Sequence, residues 1–191
     1  MCPLRPMMRR LCVGVAFALS AASAWTAEQP HHGIAPPVGL GGPIDLLDQR
    51  GAPFSLGRVA GRPALVFFGL LHCGTTCPVA FATAQQVLAA FGPAAAPAVV
   101  FVTLDPLSDR PRELGAFLEK IDSRLIGLTG DPTNIEHTAE RYGVGVRQRT
   151  GGVDHSSMWY LLDGSGNLRR VYPHTTPVAH LVDDVRALQA K

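Results

Sequence analysis

The chain has 191 residues, of which 47% are hydrophobic and 17% charged, a balance that suits one folded domain and excludes a disordered segment. Its 20 glycines and 16 prolines follow no period, which excludes collagen-like and solenoid architectures. Arg5, Arg9 and Arg10 lie in the first 24 residues, which contain no acid, and beyond them 14 basic residues stand against 15 acidic ones. The charge balance therefore indicates no nucleic-acid partner.

The amino terminus has the pattern of an export signal. A basic start is followed by an apolar run over residues 11–22, and Ala22-Ser23-Ala24 supplies a small-x-small cleavage pattern. The run is shorter than the roughly 20 residues of a membrane-spanning helix, so we expect residues 1–24 to be a signal peptide. Export to an oxidising compartment, a bacterial periplasm, is expected, with membrane attachment only if this segment stays uncleaved.

Residues 25–39 are rich in Pro, His and Gly without an apolar period, and they predict a flexible tether. The folded domain is predicted over residues 40–191. It opens with a small hairpin over residues 44–56, whose turn contains Gly51.

Strands and helices alternate through the rest of the chain. Apolar runs predict three strands, at residues 64–68, 98–104 and 124–128. Apolar residues at helical spacing predict four helices, at residues 79–91, after Pro111, after Asp131-Pro132, and at 178–188. Strands at 158–162 and 168–172 form a second hairpin. This order predicts an α/β fold in which helices flank a central mixed sheet, with an extra N-terminal hairpin and ligand sites at the carboxyl ends of the strands.

The cysteines point to a single site. Cys2 and Cys12 leave with the signal, so the mature chain contains only Cys73 and Cys77, which excludes a disulfide-rich scaffold and a four-ligand zinc site. Pro78 disfavours helical angles at Cys77 and suits the first turn of a helix, so both cysteines are expected on a loop. Cys77 then lies near a helix amino terminus, which favours the thiolate over the thiol.

A structural disulfide between Cys73 and Cys77 is the plainest alternative. A ring this small stabilises the fold by only about 2 kcal/mol in the loop-entropy estimate. The loop position and the adjoining helix terminus favour reactive or metal-ligating thiols instead.

A metal site needs more than two thiolates. Thiolates favour Cu(I), and imidazole suits copper in either oxidation state. His155 lies on a predicted loop just before the strand at 158–162, although a loop histidine considered alone is more often solvated. The other histidines are weaker candidates because of their places in the tether, in helices, in another loop or beside Cys73: His31, His32, His72, His137, His174 and His180.

Four segments together resemble the Sco/SenC family of copper chaperones. They are Phe67-Phe68-Gly69, Cys73-Gly74-Thr75-Thr76-Cys77-Pro78, the stretch 102–111 and Val153-Asp154-His155-Ser156. The resemblance covers residues 40–188 and implies a thioredoxin-like fold. It also implies delivery of copper to the binuclear copper site of cytochrome c oxidase subunit II.

The resemblance implies a role for particular residues. Cys73 and Cys77 match the family's copper-binding and redox-active thiols, and His155 matches its imidazole ligand, for one copper ion per chain. Oxidation of the pair to a disulfide then abolishes binding. Asp105 and Asp109 match an acidic loop near the site, with a plain cap-and-turn role left open. An upstream copper donor or a thiol reductant is a further expected partner.

The alternative function is a thiol–disulfide oxidoreductase acting on the cysteines of exported proteins. Three residues separate Cys73 from Cys77, whereas the C-x-x-C redox motif has two. Ser156-Ser157 also stands where thioredoxin-like oxidoreductases place a proline before the facing strand. A peroxidase and a binding module with an inert disulfide are weaker alternatives. Gly74 and Thr75 depart from the Pro-Asp of many family members without removing a ligand, and this departure bears on the choice of client.

Overall fold

The computed structural model describes residues 31–71, 76–149 and 152–190. The predicted signal peptide and Cys73 lie outside these residues. Within them, no helix is long and apolar enough to cross a bilayer. The elements follow one another as β1 (Leu46–Asp48), β2 (Pro53–Phe54), a 3₁₀ helix (Leu56–Val59), β3 (Ala64–Gly69), α1 (Thr76–Ala89), β4 (Ala98–Thr103), α2 (Pro111–Ile121), β5 (Ile126–Thr129), α3 (Pro132–Arg141), β6 (Val146–Arg149), β7 (Gly152–His155), β8 (Met158–Leu162), β9 (Leu168–Pro173) and α4 (Val178–Gln189).

One mixed sheet forms the centre of the fold, in the order β2-β1-β5-β4-β3-β8-β9. Strands β3, β4 and β5 are parallel, and β8 runs antiparallel to β3, so that Phe67 lies between Phe101 and Trp159. Strands β1 and β2 form the predicted N-terminal hairpin, which adds to the edge of the sheet beside β5. The predicted α/β class, with a mixed sheet and an extra hairpin, is confirmed.

Both faces of the sheet are covered because its central strands are apolar along their whole length. All six residues of β3 and all six of β4 are buried. Leu65 and Phe67 pack on one face among side chains of α1, α2 and α4. Val66 and Phe68 pack on the other face with α3 and the hairpin. The continuous apolar runs that predicted buried strands therefore reflect a sheet with helices on both sides.

Several predicted boundaries are wrong by one to three residues, most of all those of α1 and β5. Helix α1 begins at Thr76 rather than at residue 79, and it ends at Ala89 rather than at residue 91, shortly before Gly92, which precedes a proline and so avoids helical angles. Strand β5 begins at Ile126 rather than at residue 124. Asp122 holds Arg124 in a turn there, accepting bonds from its backbone N–H at 3.0 Å and its guanidinium Nε at 2.9 Å.

The hairpin of β6 and β7 was missed in the sequence. Val146 pairs with His155, so the histidine ends a strand instead of lying on the predicted loop. These two strands form a sheet of their own, and Val146 is 45% exposed. The sequence of β6, Val146-Arg147-Gln148-Arg149, lacks the alternating apolar pattern by which strands are recognised.

The described end of the predicted tether packs on the domain. Ile34 forms an antiparallel bridge with Val171, with N–H···O distances of 2.9 and 3.0 Å. Gly33 lies against Tyr172 so closely that a Cβ there would be 2.5 Å from the ring atom Cε1. Residues 31–34 thus belong to the folded unit, whereas the sequence placed its start at Leu40. The contacts join residues more than a hundred positions apart, which local composition does not reveal.

Candidate metal site

The cysteine segment, residues 72–77, follows β3 along the chain and includes the first two residues of α1. Cys77 is the second residue of α1, so the expectation of a loop position is wrong for it, while its predicted place at a helix amino terminus is confirmed. Pro78 falls in the first turn, where a missing N–H is tolerated because that N–H has no partner within the helix. The amino-terminal end of a helix carries partial positive charge and favours a thiolate at this position.

The direction of the strands brings the chemistry-bearing segments to one edge of the sheet. Strands β3 and β4 are parallel and both end there. Strand β8 is antiparallel to β3 and begins there, just after His155. Strand β9 pairs with β8 and ends there, just before His174. The start of α1 and two histidines therefore lie at this edge of the sheet.

His155 has the geometry of a metal-binding imidazole. Its Nδ1 lies 3.1 Å from the carbonyl oxygen of Ser156, which only accepts hydrogen bonds, so Nδ1 carries the proton. The lone pair of Nε2 then remains for a metal ion. Such a bond from the second ring nitrogen orients metal-ligating histidines in proteins. The ring is half-buried.

A small cleft joins His155 to α1. Its free volume is about 10 Å³, the space of one water molecule or ion rather than of an organic ligand. Ala80, in the first turns of α1 and three residues after Cys77, forms part of its wall. We call it the histidine cleft; its lining residues are Phe67, Phe68, Ala80, His155, Ser157, Met158, Trp159 and His174.

His174 also lines the histidine cleft. The sequence makes it one of the weaker candidates because of its predicted loop position. Yet Met158 pairs with Pro173 in the β8–β9 hairpin, so His174 falls opposite Ser157, and its backbone N–H donates to the Ser157 carbonyl at 3.1 Å. A register shift between Leu161 and Leu162 moves this pairing by one residue, so counting back from the predicted turn would place His174 opposite Ser156 instead.

The acidic loop after β4 is tied to the cysteine segment. Asp109 is only 2% exposed, and its Oδ2 accepts hydrogen bonds from Thr103 Oγ1 at 2.6 Å and from the Leu71 N–H at 3.1 Å. Asp105 plays the turn role, its Oδ1 accepting from the Ser108 N–H at 3.2 Å. Asp109 therefore links Thr103, at the end of β4, to Leu71, which follows β3 and stands two residues before Cys73.

Two exposed apolar side chains belong to α1 and to the acidic loop. Val79 in the first turn of α1 is 50% exposed, and Leu107 in the acidic loop is 71% exposed. A shallow apolar groove between α1 and α2, whose walls include Phe81 and Phe117, adjoins Leu71. A larger cavity lies away from this chemistry, between the N-terminal hairpin and α3, and no cysteine or histidine is among its lining residues.

No cluster of three or more His, Cys, Asp or Glu side chains suited to a metal ion occurs within residues 31–71, 76–149 and 152–190. The two imidazoles of the histidine cleft would therefore need further donors to complete a site. Cys73 lies outside the described residues, and Cys77 lies at the start of α1, which begins at the same edge of the sheet.

The family model and the curated relatives that match this chain all indicate the same family. The SCO1/SenC family model matches residues 34–190. An SCO2-like protein of Rickettsia conorii is 28% identical over 180 residues, covering 87% of this chain and 88% of the relative. Protein SenC of Rhodobacter capsulatus is 34% identical over 132 residues, covering 65% of this chain and 59% of its own.

Solved structures agree with the sequence matches. Bradyrhizobium japonicum ScoI with copper bound has a TM-score of 0.70 at 30% identity and covers 78% of this chain and 99% of its own. Arabidopsis thaliana ScoI with copper bound has a TM-score of 0.73 at 26% identity, with coverages of 80% and 99%. The predicted thioredoxin-like fold of the Sco type is confirmed.

Proposed function

Because the chain belongs to the SCO1/SenC family, we propose that it is a copper chaperone that carries one copper ion and takes part in cytochrome c oxidase assembly. The observation that carries the proposal is His155, whose Nδ1 contact leaves Nε2 free beside an ion-sized cleft that reaches the first turns of α1. The copper-bound states of two structural neighbours support copper as the cargo.

We propose Cys73, Cys77 and His155 as the ligands. Two thiolates favour Cu(I), and the imidazole adds a ligand that suits either oxidation state. The amino-terminal end of α1 favours the thiolate of Cys77 that copper requires. Three ligands leave the ion open to a client's thiolates, which displace the chaperone's ligands one at a time.

Loading depends on the redox state of the thiols. Only the reduced pair binds copper, because a disulfide offers no thiolate. A thiol reductant and an upstream copper donor are therefore the partners that prepare the protein. We place this cycle in the periplasm, with residues 1–24 as the export signal, residues 25–39 as a tether whose residues 31–34 pack on the domain, and the Sco/SenC domain over residues 40–191.

The proposed client is cytochrome c oxidase subunit II at its binuclear copper site. Exposed apolar side chains in the first turn of α1 and in the acidic loop, Val79 and Leu107, support transfer to a protein surface rather than to a small molecule. Thiol–disulfide exchange with the client's cysteines is the second candidate function, since the first turn of α1 also favours an attacking thiolate. Ser157 before β8 and the three-residue spacing speak for copper delivery over oxidoreduction alone.

The test is a copper titration of the reduced protein with Cys73→Ser/Cys77→Ser and His155→Ala alongside. We expect one ion per chain with thiolate-to-copper absorption, loss of that ion in the double serine variant, and at least about tenfold weaker binding in His155→Ala. His137→Ala is the matched control, because His137 is exposed on α3 on the other side of the sheet.

Two results would contradict the proposal. One is a reduced protein that binds no copper, which leaves oxidoreduction or a small structural disulfide. The other is a double serine variant that binds copper as the parent does, which removes the cysteines from the site.

A further inference from the structure

The histidine cleft contains a second imidazole that the three-ligand site leaves unused. We propose that His174 is a further copper ligand, which joins His155 when the protein holds Cu(II). The inference rests on the proposed function, because it adds a fourth donor to the site of Cys73, Cys77 and His155.

The β8–β9 hairpin fixes the position of His174. Its backbone N–H donates to the Ser157 carbonyl at 3.1 Å, two residues beyond His155. Both imidazoles are half-buried and line the same cleft of about 10 Å³. A cleft of this size has room for a single ion between its walls.

The surroundings of the two rings favour a metal ion over a hydrogen-bonded pair. No carboxylate is among the described residues that line the cleft, so no acid competes for the imidazole nitrogens. Phe67, Phe68 and Ala80 provide apolar walls, and Met158 adds a thioether, a soft donor that suits copper. The side-chain donors on the described walls are thus two imidazoles, one thioether and the Ser157 hydroxyl, of which the nitrogen and sulfur donors are the ones that suit copper.

One of the residues that line the cleft has a buried donor without a partner among the described residues. The indole Nε1 of Trp159 is buried and has no hydrogen-bond partner among the described residues, although the side chain lines the cleft. Buried N–H groups without an acceptor are uncommon in native proteins. A copper-bound thiolate or a copper-bound water in the cleft offers such an acceptor.

The preferred coordination of each copper ion assigns the role of His174. Cu(I) is satisfied by soft sulfur donors with one imidazole, whereas Cu(II) favours a four-coordinate tetragonal site with nitrogen donors. Two thiolates and two imidazoles make such a set. His174 is therefore needed for Cu(II) and dispensable for Cu(I). Its removal should lower the affinity for Cu(II) and leave the affinity for Cu(I) unchanged.

Pulsed electron paramagnetic resonance of the Cu(II)-loaded protein tests this, since it counts the imidazoles coupled to copper. We expect two in the parent protein, one in His174→Gln, and two in the control His137→Gln, whose ring is exposed on α3. We also expect His174→Gln to bind Cu(II) at least about tenfold more weakly, and Cu(I) with unchanged affinity. The unchanged Cu(I) affinity shows in the same variant that the domain is folded.

One coupled imidazole in the parent protein, or two in His174→Gln, would overturn the inference. The thiolate-to-copper absorption reports separately on the proposed function. If that band is absent from the parent protein while two imidazoles are counted, the copper–cysteine site fails and the histidine pair stands.

Discussion

Histidines occur in two regions near β9, and their surroundings differ. In the first region, which we call the amino-terminal clasp, residues 31–34 pack against β9 and α4. There His31 Nδ1 lies 3.6 Å from Asp184 Oδ1, and His32 Nε2 lies 3.8 Å from Asp183 Oδ2. The His32 ring also stacks on His180, with ring centroids 3.9 Å apart. These imidazoles are engaged by carboxylates and by each other.

The histidine cleft has the opposite character. Its imidazoles, His155 and His174, share a space with apolar walls and no acid among the described lining residues. The imidazoles of the clasp thus lie against carboxylates and against one another, whereas those of the cleft are the ones that we propose as copper ligands. The comparison teaches that the partners of an imidazole nitrogen, rather than the presence of histidine in the sequence, distinguish the two roles.

A buried carboxylate lies in the clasp, and another is bonded to Leu71, just before the cysteine segment. Asp184 and Asp109 are both 2% exposed, and each accepts hydrogen bonds from a hydroxyl and from backbone N–H groups. Asp184 attaches the chain's amino-terminal segment to α4. Asp109 attaches the end of β3 to the end of β4, beside the cysteine segment. Substitutions at these two positions therefore separate stability from copper binding.

The largest effect on stability is expected for Asp184→Ala. The change leaves the Tyr172 hydroxyl and the N–H groups of His32 and Gly33 without their acceptor, which lies 2.7, 3.0 and 3.2 Å away. Burial, together with the Asp184 hydrogen bond, raises the pKa of Tyr172, so its hydroxyl remains a donor. We expect a loss of about 3 kcal/mol in the free energy of unfolding, measured by urea denaturation, with unchanged copper affinity.

The matched control for Asp184 is Asp183→Ala on the same helix. The Asp183 side chain is 57% exposed, and its loss should change stability by less than about 0.5 kcal/mol. If Asp184→Ala were as stable as this control, the clasp would not anchor residues 31–34. If it lost copper while still folded, the two regions would not be independent.

A smaller loss of stability, combined with weaker copper binding, is expected for Asp109→Ala. Removing the carboxylate frees the Leu71 N–H and the Thr103 hydroxyl, which costs about 2 kcal/mol of unfolding free energy. Because Leu71 lies two residues before Cys73, we also expect copper affinity to fall several-fold, as for residues that orient metal ligands. Asp109→Asn keeps an acceptor oxygen and should lie between the parent and the alanine variant.

Asp105→Ala is the control within the same loop. Among the described residues, its carboxylate accepts a bond from the Ser108 N–H and none from Leu71, so copper affinity should hold. Equal copper affinity in Asp109→Ala and the parent protein would reduce Asp109 to a purely structural residue.

The sequence predicts those parts of the fold that a local pattern determines. Strand β8 is found at its predicted residues, and β3 and β4 follow from unbroken apolar runs that only a sheet covered on both faces buries. The pattern fails where the sequence of a strand has no apolar alternation, as in β6. It also fails where distant segments meet, as at the clasp, whose hydrogen bonds join residues 32 and 33 to Asp184.

In the candidate site, too, some residues follow from a local sequence pattern and others depend on contacts between distant segments. The resemblance to a family supplies Cys73, Cys77 and His155, because those residues stand in recognisable motifs. His174 and the burial of Asp109 depend on strand register and on tertiary contacts, which residue type alone does not encode. The roles of the ligands stay predictions until a metal ion is measured in the site.

X-ray absorption at the copper edge of the Cu(I)-loaded, reduced protein tests the central claim most directly, because it identifies the atoms bound to the metal. The account predicts two sulfur ligands and one imidazole, with the imidazole lost in His155→Ala and the sulfurs lost in Cys73→Ser/Cys77→Ser. A copper ion surrounded only by nitrogen and oxygen in the parent protein would contradict it.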